Sequence, residues 1–487
     1  MSSTIVEQLA KFTSECDYAR LPAPVVSECK RIVLDSLGCA LAAVGEPKGR
    51  IGVDYGTLLG GNASEATIIG TGRRSSQFGA AFANGELINA LDYDAVLPPG
   101  HVTPYVLPGA LARAESRHLS GRDLITAMAL AHEMSYRIGK AMDYLRDTTD
   151  GRVDPPPVYG YSSTIFGATA ALARLGGYAP ETTAHALGIA GCIAPVQSQV
   201  AWFQHAPSST IKYLLAGALV QAAQTAAHMA ELGHRGDLQV LDDREYGFPR
   251  FIGTRRWMPD RITSALGTEW LFTAEQAYKP YPHCRILHAL LDAERAILDE
   301  HGIAPEEIDG IKAWVEGFVE QPVWQNRRIE QPHDAQFSIA HGLAFGAMRV
   351  PPGKAWQEPA RLNDPVVMKL MDRTSYEVHP DYVEMLLTHG ASRPARIEIT
   401  ARGRTFVGER RYPKGSPSPE AGTAMTDEEL IAKFRHNAEG AVAPAQIDEV
   451  VARVFALETV SDVGAVMQLV AGGVPPAAEA GKAHRAA

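Results

Sequence analysis

Two short stretches of the chain concentrate ionisable side chains among apolar neighbours. The first is Leu91-Asp92-Tyr93-Asp94-Ala95-Val96-Leu97-Pro98-Pro99-Gly100-His101-Val102-Thr103-Pro104. Its prolines and glycine make it a loop between two helical stretches, and loops on rigid scaffolds often carry binding and catalytic residues. The second is Tyr278-Lys279-Pro280-Tyr281-Pro282-His283-Cys284-Arg285-Ile286-Leu287-His288, which places a lysine, an arginine, two histidines and a thiol within ten residues of a helix start. Clustered cations at a helix N-terminus are what an anionic ligand would seek. Taken singly, a histidine in a Pro-rich loop is more often structural than catalytic, and a basic turn is more often a solvated face.

The common cofactor and nucleophile motifs are missing, so the chemistry is expected to use side chains alone, with no cofactor and no metal. Gly70-Thr71-Gly72-Arg73-Arg74 lacks the third glycine and the strand–turn–helix setting of a dinucleotide fingerprint, and there is no GxxxxGK[ST] phosphate loop. His132-Glu133 lies on a helix, but Tyr136 stands where a zinc-protease pair needs its second histidine, so the pair reads as polar residues on a helix rim. No GxSxG nucleophile elbow occurs.

The elements that must position these stretches are mostly helices. Ser120-Gly121-Arg122-Asp123 resembles a capping box, and Leu124, Ala127, Met128, Ala131 and Met134 follow at helical spacing. Similar patterns predict helices over 24–44, 77–92, 106–117, 164–175, 182–192 and 209–232, many with small residues on the buried face, as expected for a tightly packed bundle. From about residue 269 the pattern becomes mixed: a helix over 284–299, a strand over Ile308–Val315, and a hairpin of Arg396–Thr400 and Thr405–Arg410 across the turn Ala401-Arg402-Gly403-Arg404. Beyond the Pro/Gly/Ser stretch 413–419, Thr426 and Glu429 form a second capping pair, and apolar periodicity runs from Ile447 to Leu469. The expected fold is mainly α: a large helical domain built from 1–268 and 415–474, an inserted α+β lid domain at 269–414, and a loose tail at 475–487.

Composition narrows the partners. The chain has 487 residues, with 46 Lys+Arg against 56 Asp+Glu and a formal net charge of -10, which argues against nucleic acid or an anionic membrane as a partner. No run approaches the roughly 18 apolar residues of a membrane span. The residues up to Glu7 lack a basic start followed by an apolar core, so no signal peptide is expected. Five cysteines, an odd number without a CxxC, suit a reducing compartment, and the cytoplasm is the expected location.

Read together and in order, the segments resemble the MmgE/PrpD family, which includes 2-methylcitrate dehydratase, cis-aconitate decarboxylase and iminodisuccinate epimerase. The resemblance rests on Asn84 to Asp94 with His101, Thr164-Ile165-Phe166-Gly167-Ala168, Lys212 with Ala216-Gly217, Lys279-Pro280-Tyr281-Pro282 with Cys284-Arg285 and His288, and Asp334-Ala335-Gln336-Phe337-Ser338. It implies a homodimer with an active-site cleft between a helical domain and a lid. The residues it implies are Asp92 and His101 from the loop, Tyr161 and Lys212 from the helical domain, and Lys279, His283, Cys284 and Arg285 from the lid edge, with Asp94 and His288 beside them.

The family's chemistry removes a proton next to a carboxylate, and the resulting enediolate-like charge must meet cations or hydrogen-bond donors. Lys212, Lys279 and Arg285 are then expected to hold the carboxylates of a small anionic substrate. His101 becomes the first candidate acid/base because an unperturbed imidazole titrates near neutrality, with Asp94 or Asp92 orienting it.

Departures from the family pattern bear on the reaction. Tyr161 stands where many members have histidine and would need a neighbouring cation such as Lys212 to lower its pKa before it could act as a base. Ile211 and Leu215 replace a threonine and a histidine beside Lys212, Val96 replaces a hydroxyl residue, and Cys284 takes a histidine's place, so the pocket is expected to be less polar. The leading expectation is a hydro-lyase acting on a hydroxy-carboxylate or polycarboxylate. A two-base epimerase or isomerase using Tyr161 with Cys284 or His101, a decarboxylase, and an inactive acid-binding homologue are the alternatives.

Overall fold

Thr4 accepts a hydrogen bond from the Glu7 backbone N–H, and the Glu7 carboxylate accepts one from that of Thr4. This reciprocal cap starts α1 (Ile5–Glu15) in a computed structural model that describes residues 3–144, 146–156, 159–196 and 201–472. There follow α2 (Ala23–Ala42), α3 (Pro47–Gly60), α4 (Gln77–Ala90), α5 (Thr103–Ser116), α6 (Gly121–Ala141), α7 (Thr164–Gly176), α8 (Pro180–Ile193) and α9 (Ala216–Glu231). The protein is mainly α, and the Ser120–Asp123 capping box opens α6 as its sequence predicts.

Small residues set how closely these helices pack. A Cβ on Gly167 of α7 would lie 2.3 Å from the Ala131 carbonyl oxygen of α6, and one on Gly56 of α3 would lie 2.4 Å from that of Gly79 in α4. No side chain fits at either crossing, so the glycines permit backbone contact that larger residues would forbid.

The mixed segment forms a four-stranded sheet of β1 (Ile308–Val315), β2 (Thr374–Val378), β3 (Ala395–Ala401) and β4 (Arg404–Arg410), in the order β4-β3-β1-β2. The expected hairpin is present, with Arg402 and Gly403 at φ 55° and 68° forming the tight turn, a pair of positive values that suits the twist of the strands. β1 runs antiparallel to β3 and parallel to β2, a strand too short and too weakly alternating to stand out in the sequence. α10 (His288–His301) packs on β3 and β4, and α11 (Ile339–Ala347) packs on α10. α12 (Asp427–Ala438), capped by Thr426 and Glu429, and α13 (Pro444–Phe455) pack back onto α2.

Three local expectations are corrected. The helix predicted to begin at Ser209 begins at Ala216: residues 210–213 form a turn in which Lys212 adopts φ 55°, and its ammonium reaches the Asn89 carbonyl. The periodicity of Ile447 to Leu469 belongs to two helices, Pro444–Phe455 and Gly464–Leu469, separated by a short 3-10 helix at Leu457–Thr459. His132 and Glu133 are buried rather than on a rim. His132 Nε2 lies 3.2 Å from Thr103 Oγ1, and Glu133 pairs with Arg137 and accepts from the Leu271 and Phe272 N–H groups. The tail 475–487 lies outside the described residues.

Candidate active site

The loop after α4 is held by its own pairing. Val96–Leu97 and Gly100–His101 form a two-residue antiparallel ladder, and Val96 exchanges backbone hydrogen bonds of 2.8 and 3.0 Å with Ala277. Those bonds join the first ionisable stretch to the second. Gly100 is obligatory here, since a Cβ would meet the Tyr161 ring at 2.1 Å.

Within this frame His101 Nδ1 lies 2.7 Å from Asp94 Oδ2, and the imidazole stacks on Tyr213 at 4.7 Å between centroids. Nε2 is left 3.7 Å from Asp92 Oδ1 beside a cavity that His101 lines. Asp94 therefore orients His101, and Asp92 does something else.

Asp92 is wholly buried and takes φ 53°, a left-handed conformation that aspartate tolerates. Lys279 Nζ lies 2.5 Å from its Oδ2 and 2.7 Å from its carbonyl oxygen, Tyr213 donates to Oδ1 at 2.8 Å, and Lys212 Nζ lies 3.4 Å from Oδ1. Although burial disfavours the charge, Lys279, Lys212 and His101 together hold the carboxyl well below the usual range. Asp92 is the anionic hub that keeps two lysines in place.

Lys212 donates to the Asn89 carbonyl at 2.8 Å and to Gln336 Oε1 at 3.0 Å, and burial pulls its amine down to about 7. It braces the site from behind and does not line the cavity, where a carboxylate holder was expected. The Lys279 ammonium is likewise committed to Asp92, although the side chain borders the cavity.

The cavity measures about 90 Å³. One wall is aromatic and apolar, with Tyr159, Tyr161, Trp202, Tyr213, Trp324 and Phe337. Arg146, Arg285 and Arg393 also line it. Arg285 Nη2 donates to Ser416 Oγ at 2.7 Å, and burial brings its guanidinium down to about 10, still cationic at neutral pH.

Of the other expected residues, Tyr161 and Cys284 reach the cavity, but neither is an activated base. Burial drives the Tyr161 phenol well above its ordinary value, and its charged and phenolic neighbours add to the rise. The expected help from Lys212 is lacking because that amine faces Asn89, Gln336 and Asp92 instead. Burial likewise pushes the Cys284 thiol up to about 11.

His283, His288 and Asp94 do not line the cavity. His283 Nε2 lies 3.2 Å from the Ser338 carbonyl oxygen against α11, and His288 Nε2 lies 2.9 Å from the His283 carbonyl oxygen. Burial lowers both imidazoles, His283 to about 4. The turn at Arg285–Leu287 sends Cys284 and Arg285 to the cavity and both histidines away from it.

Sequence reasoning passed over Arg146, Arg393 and Tyr213. The two arginines stand alone in unremarkable loops, whereas Tyr213 adjoins Lys212 in the motif already singled out and could have been read from it.

The MmgE/PrpD N-terminal domain model matches residues 7–258, and the MmgE/PrpD C-terminal domain model matches residues 281–457. The chain belongs to the MmgE/PrpD family. This MmgE/PrpD chain is 27% identical to the cis-aconitate decarboxylase of Homo sapiens, over 98% of its own length and 96% of the relative's. It is 25% identical to the cis-aconitate decarboxylase of Mus musculus, over 97% and 94%. It is 26% identical to a cis-aconitate decarboxylase-like protein of Aspergillus oryzae, over 96% and 97%. The family match and these relatives support an enzyme. Among the described residues, no helix of this MmgE/PrpD protein is long and apolar enough to cross a membrane.

Proposed function

We propose that the protein is a cofactor-independent lyase that decarboxylates a small unsaturated polycarboxylate of the cis-aconitate class. The observation that carries this reading is the oriented His101. Asp94 holds Nδ1 at 2.7 Å and leaves Nε2 at the cavity, while the tyrosine and the thiol that share the cavity are kept protonated by burial. A site with one group fit to carry a proton suits a reaction that needs one proton delivered to carbon.

In that reaction the C–C bond to an allylic carboxylate breaks and carbon dioxide leaves. The electron pair moves through the double bond to the carbon beside another carboxylate, and that carbon takes the proton from Nε2 of a protonated His101. Asp94 holds the ring in place through Nδ1 during the transfer. The aromatic wall favours the step, because a carboxylate stripped of water is destabilised relative to a transition state that is becoming neutral carbon dioxide.

Dehydration is the second reading, supported by the neutral Tyr161 phenol on the same cavity as His101. His101 would remove a carbon-bound proton, and Tyr161 would protonate the departing hydroxide.

Incubation with cis-aconitate and with 2-methylcitrate in deuterium oxide, followed by NMR, separates the possibilities. Loss of carbon dioxide with one deuterium on the product supports decarboxylation. A new alkene without loss of carbon overturns it in favour of dehydration, and inversion or exchange without change of skeleton overturns both.

A further inference from the structure

Three guanidiniums line the cavity, yet among the described residues only Arg146 has an ion-pair partner. Arg146 pairs with Glu316 and donates from Nη1 to the Ser392 carbonyl oxygen at 2.9 Å. Among the described residues, neither Arg285 nor Arg393 has an ion-pair partner, and Arg285 makes its hydrogen bond to a neutral hydroxyl, that of Ser416.

Arg393 is the most exacting of the three. It is only 4% exposed. Its Nη1 donates to the carbonyl oxygens of Gly390 at 2.9 Å and Ser392 at 2.6 Å, while its buried Nε has no partner among the described residues. An unpaired buried cation is costly, and two like charges beside it raise the cost. A protein keeps such an arrangement where a ligand supplies the missing charge.

We infer that Arg146, Arg285 and Arg393 form a specificity subsite for the two carboxylates that a tricarboxylate substrate retains, with the departing carboxylate placed against the aromatic wall. This rests on the polycarboxylate-lyase reading above. Arg285 and Arg393, the two guanidiniums without an ion-pair partner among the described residues, are the complement of two carboxylates. The planar fork of guanidinium, unlike a lysine ammonium, grips a carboxylate through two parallel hydrogen bonds. The subsite also accounts for an acidic protein binding an anion: attraction is local, against the sign of the net charge of -10.

Tricarballylate, a saturated tricarboxylate that lacks the reactive double bond, is the probe, with butyrate as a monocarboxylate comparison, both measured by calorimetry. Arg393→Gln is expected to weaken tricarballylate by about 10- to 100-fold while changing butyrate less than threefold. Should Arg393→Gln fail to fold, Arg393→Lys keeps the charge but not the fork and is expected to weaken tricarballylate by at least about fivefold. Unchanged tricarballylate affinity in a folded variant overturns the subsite, even where His101-dependent turnover stands. Arg393-dependent binding with no turnover of any polycarboxylate sustains the subsite and overturns the lyase reading alone.

Discussion

His101 Nδ1 and Asp94 Oδ2 stand 2.7 Å apart, and both side chains are buried. The carboxylate engages Nδ1 and leaves Nε2 as the other ring nitrogen, so it sets the orientation of the imidazole. Asp94→Asn keeps the size but removes the charge and allows the amide to present a donor to Nδ1. Turnover of cis-aconitate is expected to fall by about 100- to 10,000-fold with tricarboxylate binding retained, as for His101→Asn. Steady-state kinetics with a calorimetric titration checks this, and an Asp94→Asn enzyme of near wild-type kcat would rule out the orienting role.

Asp92 carries the opposite kind of burden. Its carboxylate is shared by Lys279 and Lys212, so Asp92→Asn removes the anion that both buried amines face while preserving shape and left-handed backbone. Removing one partner of a buried ionic cluster costs about 3–5 kcal/mol. Because the native pKa is depressed, the stabilisation from Asp92 is fully present above the ordinary carboxyl range and is lost as pH falls below it. Urea melts at neutral pH should show the deficit, and it should shrink towards strongly acidic pH. A constant small difference would show that the lysines are held by other means.

Asp92, Asp94, His101 and Lys279 were legible because a proline-rich loop and a basic turn are unusual places for so many ionisable groups, and the fold joins the two through Val96 and Ala277. The helices were legible from capping pairs and periodicity, since both are local. What failed was non-local. Lys212 continues a helical pattern in sequence, yet its backbone turns to φ 55° and its side chain reaches a buried carbonyl. His283 and His288 adjoin residues of the cavity, but a tight turn divides neighbours between two faces. Arg146 and Arg393 meet only because the sheet brings Ser392 to Arg146, a contact that no spacing encodes.

Cys284 should behave as an inert apolar residue. Burial holds its thiol near 11, so at neutral pH almost none is thiolate, the form that reacts with alkylating agents. Iodoacetamide at neutral pH is expected to label the exposed Cys192 and spare Cys284, with activity intact. Cys284→Ser should keep kcat within about tenfold, the scale of one altered hydrogen bond. Peptide mapping and kinetics read both outcomes. Rapid inactivation that tracks label on Cys284 would restore it as a nucleophile or base.

Glu46 gives the stability curve a feature remote from catalysis. It precedes α3 at the edge of a second cavity of about 600 Å³, with Lys354 and Glu358 nearby. Burial raises its carboxyl to about 7, with Glu358 opposing Arg50 in the same direction as burial. The folded protein therefore binds a proton that the unfolded chain has lost between the ordinary glutamate value and about 7. Its stabilisation is full below that window and disappears as pH rises through it. Glu46→Gln removes the charge, so the variant should match the wild type in acid and exceed it by about 1–3 kcal/mol above neutrality. Paired denaturant melts on the two sides of the window measure the difference directly. A Glu46→Gln gain that is the same at both pH values would mean that the carboxyl titrates alike in the folded and unfolded chains, and that burial does not govern it.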